Sequence, residues 1–154
     1  MKVRTLRRSN ILPCVTAILA SYTVSVANAA SPLTDPCKLV TVAEMEQIVG
    51  PLAEAPRATT DGEITCTYMP AKGLRFVDVS LHEGDLATMR HSESQKNAVS
   101  LPDFGKDAFV NPNLQGYADL YAEKGNLIVR VTVPMEPRSV ETVKGIAKKA
   151  LARL

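Results

Sequence analysis

Residues 117–133, YADLYAEKGNLIVRVTV, decide the reading of this chain. Lys124-Gly125 is a turn signal between two alternating runs, so strands are expected over 117–123 and 126–133. Successive side chains of an extended chain point to opposite faces. In the second strand Leu127, Val129, Val131 and Val133 therefore share one face, and Ile128, Arg130 and Thr132 share the other. A hairpin with one valine-rich face wants a cover on that side, as antiparallel sheets carrying helices do.

Downstream, Pro134 and Pro137 end the sheet, and Ser139 is placed to cap a last helix. The stripe of that helix is Val140, Val143, Ile146, Ala147, Ala150, Leu151 and Leu154. Glu141 near its start and Lys148, Lys149 and Arg153 near its end suit the helix dipole. Upstream, residues 75–82 alternate, with Val77, Val79 and Leu81 opposite Phe76, Asp78, Ser80 and His82. Residues 64–69 form a strand after the Asp61-Gly62 turn, and 54–59 a weaker one broken by Pro56. Thr41 and Glu44 make a capping box for a helix carrying Val42, Met45, Ile48 and Val49, stopped by Gly50-Pro51. Residues 86–99 suggest a surface helix with few anchors (Leu86, Met89, Ala98), and 100–116 a loop with a short strand at 107–110. The expected fold is α+β, in the order α-βββ-α-βββ-α, with the helices packed on one face of an antiparallel sheet. The two helix-plus-strands units are not visibly similar in sequence.

The chain has 154 residues, 45% hydrophobic, 22% charged and 5% aromatic, with no tryptophan. These values suit one domain and exclude wholesale disorder, a collagen-like fibre or a coiled coil. Lys2, Arg4, Arg7 and Arg8 precede an apolar run over 11–26 that leads to Ala27-Asn28-Ala29, the layout of a secretory signal peptide. The run is shorter than the roughly 20 residues a spanning helix needs, so cleavage near Ala29 is favoured over a membrane anchor. Cys14 lies inside the apolar segment, where it cannot serve as a lipid-acceptor cysteine. The expected layout is signal 1–29, extended lead-in 30–36 and a single domain 37–154, periplasmic or secreted, with no transmembrane segment after cleavage. Removing the four basic residues of the signal from the 18 in the chain leaves 14 against 16 acidic ones, a formal net charge of −2. That balance gives no support to nucleic-acid binding.

With Cys14 in the signal, Cys37 and Cys66 remain, and two cysteines in an oxidising compartment point to one disulfide. The loop of roughly 30 residues would gain about 3.5 kcal/mol in the chain-entropy picture. A metal site would want more Cys or His at close spacing, and a redox pair a Cys-x-x-Cys.

Asp35-Pro36-Cys37 before the first helix, Cys66-Thr67-Tyr68 in a strand, and Phe104-Gly105-Lys106-Asp107-Ala108-Phe109 occur together. With these features the chain resembles a broad group of small exported bacterial proteins and lipoproteins of unknown function. That resemblance implies an envelope location and a cysteine before helix one paired to one in a following strand. It carries no catalytic residues.

His82, Asp85 and His91 are the only dense metal-capable set, but they lack the two-histidine helical spacing of zinc proteases, so no metal or other cofactor is expected. Ser80, His82 and Asp78 sit side by side on one strand face, without the crossed geometry of a triad. Asp119 with Glu123, or Asp78 with one of them, could supply carboxylates to a small periplasmic hydrolase. What remains is the face carrying Phe76, Asp78, His82, Tyr117, Tyr121, Ile128 and Arg130, with Phe104 and Phe109 in the adjoining loop; aromatic residues and arginine dominate binding surfaces. The leading expectation is an exported, non-enzymatic binding module for an envelope or secreted protein, or for a small ligand. A hydrolase and a metal-binding accessory protein are the alternatives.

Overall fold

The structure, a computed structural model, describes residues 35–59, 64–91 and 97–154. The expected signal peptide and nearly all of the lead-in lie outside these residues. No helix among the described residues is long and apolar enough to cross a membrane.

The hairpin over 117–133 forms and sits near the middle of the sheet. Its strands are β6 (Tyr117–Lys124) and β7 (Leu127–Pro134), in register from Tyr117 opposite Pro134 to Lys124 opposite Leu127. The turn is one residue later than the sequence suggests: Lys124 ends β6, and Gly125 opens the two-residue loop at φ 67°, a conformation that favours glycine. The other strands are β1 (Arg57–Thr59), β2 (Ile64–Tyr68), β3 (Val77–Glu83), β4 (Val99–Ser100) and β5 (Phe109–Leu114). All pair antiparallel in the order β1-β2-β3-β7-β6-β5-β4. The long connection from β3 to β7 lets β7 join the two halves into one sheet.

Among the described residues three α-helices accompany the sheet: α1 (Val42–Val49), α2 (Leu86–Arg90) and α3 (Ser139–Leu151). Met45 of α1 and Val143, Ile146, Ala147 and Ala150 of α3 lie in the main core with Val77, Val79, Leu81, Val129, Val131 and Val133. The valine-rich face is therefore covered as expected. α2 departs from the expected layering. Its Leu86 joins Phe109, Tyr121 and Ile128 in a second buried cluster, with Met89 and Ala98 packed against it. Ser80, Arg130, Tyr121 and Phe109 are register neighbours on one face, so this cluster lies on the face opposite the valines. One end of that face is apolar and needs its own cover; helices consequently flank both sides of the sheet.

The expected strand order also needs correcting. Of the helix expected over 86–99, α2 covers Leu86–Arg90, residues 92–96 lie outside the described residues, and Val99–Ser100 is instead a short edge strand. Residues 109–114 form a longer strand than 107–110, with an irregularity between Asn111 and Leu114 where Pro112 withholds a ladder donor. The second half thus contributes four strands, not three. β1 starts only at Arg57, directly after Pro56. Ser139 is not the cap of α3 either. That position is Arg138, while the buried Ser139 hydroxyl donates to the Pro134 carbonyl at 2.8 Å and accepts from the Glu136 amide at 2.7 Å. It fastens the helix start to the end of β7.

The amino-terminal part is tied down by three kinds of bond. Cys37, in a 3-10 turn over Pro36–Lys38, is bridged to Cys66 of β2, with Cα atoms 5.0 Å apart. The Tyr68 hydroxyl donates to the Val40 carbonyl at 2.6 Å, and burial pushes its pKa up to about 12. Arg153, just beyond α3, donates to the Leu39 carbonyl at 3.0 Å and pairs with Glu44 at 2.8 Å. Glu44 meanwhile completes the capping box with Thr41.

The Arg153 hydrogen bond, followed by the Thr41 amide, holds the Glu44 carboxyl at about 2 instead of 4.5. A depressed carboxylate pKa stabilises the fold above the unfolded value, and that contribution is lost as pH falls from about 4.5 towards 2. The wild type is expected to lose Tm more steeply than Glu44→Gln across this window in thermal melts. Parallel curves for the two proteins would show that the pair contributes nothing.

Candidate functional site

The face opposite α1 and α3 is built as rows of cross-strand neighbours. One row runs Thr67, Asp78, Thr132, Asp119 and Asn111 across β2, β3, β7, β6 and β5. The next runs Thr65, Ser80, Arg130, Tyr121 and Phe109. Such rows place donors opposite acceptors. Thr67 donates to Asp78 at 2.6 Å, and Thr65 and Ser80 share a 2.8 Å bond. Asp119, only 1% exposed, accepts from Arg130 Nε at 2.8 Å and from Thr132 at 2.6 Å. The Arg130 guanidinium in turn lies 5.5 Å from the Tyr121 ring centre, and Tyr121 stacks on Phe109 at 4.8 Å.

At one end of this face the rows open into a shallow groove of about 400 Å³, lined by Thr67, Met69, Arg75, Phe76, Asp78 and Tyr117. Phe76 and Tyr117 form a tilted pair with ring centres 5.8 Å apart at 47°. Both are half-buried, so part of each ring stays accessible. The apolar floor is thus bordered by a carboxylate and a guanidinium, the mixed lining expected of a small-ligand site.

Of the residues expected to form a binding face, Phe76, Asp78 and Tyr117 converge in this groove. Arg130 keeps 27% of its side chain exposed, and His82 is half-buried on β3 opposite Ile128. Phe109, Tyr121 and Phe104 need correcting. Phe109 and Tyr121 are buried beneath α2, at 0% and 4% exposure. Phe104 belongs to the main core on the other side, with Lys148 above its ring. Aromatic rings that look like contact residues in the sequence are interior because each face has an apolar end of its own.

The weaker sets also find places. Asp85 caps α2 through the Ala87 amide and the Thr88 hydroxyl, and the Thr88 bond leads in holding its carboxyl below the ordinary value. His91 closes the same helix. Among the described residues no group of three His, Cys, Asp or Glu side chains could hold a metal ion. Asp119 is committed to its arginine and threonine partners, a structural pairing unlike that of a hydrolytic acid or base. Thr67, Met69 and Arg75 were not singled out by the sequence. Thr67 lies in β2 and Met69 just past its end, and their spacing of two was the available signal.

No protein-family model and no curated protein matches the chain. Among solved structures, a GTP binding regulator from Thermotoga maritima is 12% identical, with a TM-score of 0.36, over 75% of this chain and 90% of that one. At that similarity it carries no argument about function.

Proposed function

We propose that this chain is an exported, non-enzymatic binding module of the cell envelope that holds a small ligand in the groove of Phe76, Tyr117 and Met69. The carrying observation is the accessible aromatic pair in a groove that Asp78 and Arg75 also line, whereas the Phe109–Tyr121 pair is buried. The Cys37–Cys66 bridge suits an oxidising compartment, and the basic-then-apolar start of the sequence supports export. A groove of this size suits a small molecule better than the broad footprint of a protein partner.

Isotope-labelled, oxidised protein titrated with a panel of small aromatic and aliphatic compounds should show amide shifts clustered at Thr67, Met69, Phe76, Asp78 and Tyr117. Phe76→Ala should abolish them while lowering stability by only about 1 kcal/mol, since the ring is half-exposed. Shifts confined to the α1 and α3 side, or none at all, would overturn the assignment.

A further inference from the structure

Arg75, which is exposed, and Asp78, which is half-buried, both line the groove, and Asp78 accepts a 2.6 Å bond from Thr67. The aromatic pair thus shares its groove with an exposed guanidinium and with a carboxylate already engaged within the sheet. A guanidinium beside a ring is suited to a planar anion, because it forks two parallel hydrogen bonds to a carboxylate or sulfonate.

We propose that the groove selects a free aromatic anion, with its ring system on Phe76, Tyr117 and Met69 and its acidic group on Arg75. This rests on the reading that the groove is the ligand site.

Two fluorescent probes of nearly the same shape separate the parts of the proposal: 8-anilinonaphthalene-1-sulfonate and its uncharged parent, N-phenyl-1-naphthylamine. The full-length oxidised protein should bind one sulfonate per chain, more weakly as salt is raised. Arg75→Glu should weaken the sulfonate roughly tenfold, the loss expected for one charge-assisted contact, and leave the parent within about twofold. Phe76→Ala should weaken both probes. Arg75 is exposed, so a melting curve matching the wild type would establish that its variant is folded. If Phe76→Ala weakens both probes while Arg75→Glu leaves the sulfonate unchanged, the anionic preference is wrong and the groove remains the site. If Phe76→Ala affects neither probe, the groove itself is wrong and this proposal falls with it.

Discussion

Replacing Cys37 and Cys66 together with alanine is expected to destabilise the protein by about 3.5 kcal/mol, from the entropy of a chain loop spanning a separation of 29 residues. For a domain of this size that is a fall in Tm on the order of 10–15 °C. Alanine is the informative choice because Cys66 is fully buried and serine would add an unsatisfied hydroxyl. The loss should be felt first at the amino-terminal end, since the bridge holds the 3-10 turn that delivers Leu39 and Val40 into the core. Hydrogen exchange should therefore show faster opening around residues 37–49, with β6 and β7 protected longest. Reducing agent should reproduce the effect in the wild type. A Tm unchanged by reduction would mean that the Tyr68 and Arg153 bonds hold this segment unaided.

Asp119→Ala is expected to cost about 3 kcal/mol in chemical denaturation, although its side chain lies on the face of the sheet opposite the main core. The substitution takes from Thr132 and from Arg130, itself 27% exposed, an acceptor that is only 1% exposed, and breaking one partner of a largely buried pair is worse than never having had it. The double replacement Asp119→Leu with Arg130→Met should recover most of the loss, because apolar residues of similar volume need no partner. A near-neutral Asp119→Ala would show that water reaches the site and that the pair is a surface one. The groove lies in the same sheet, so small-molecule binding at Phe76 in the double variant separates a local role for this pair from a global one.

Much of the layout was legible because the periodicities are strong. β3, β7 and the stripe of α3 were readable because one wide apolar face must pack against another layer. The Thr41–Glu44 capping box was readable because its two bonds close within one helical turn. Local rules misplaced three features. Ser139 looks like a cap, yet its hydroxyl is drawn to the Pro134 carbonyl by the approach of α3 to β7. Val99 looks like the end of a helix, yet it pairs with Val110. Phe109 and Tyr121 look like contact residues, yet α2 folds over them. For Val99, Phe109 and Tyr121 the deciding partner is distant along the chain; for Ser139 it is near in sequence but lies in β7, outside the helix that a capping rule considers.

By itself the amino-acid sequence determined the α+β class, the central hairpin, the capping box, the valine-rich face that the helices cover and the two cysteines available for a bridge. Each of these depends on residues a few positions apart or on composition. Only the tertiary structure decided which aromatic rings lie inside, that α2 covers the second face, and that Met69, Arg75 and Phe76 meet Tyr117 across the sheet. Those outcomes follow from burial, which is set by what the whole chain brings together and not by any short stretch of it.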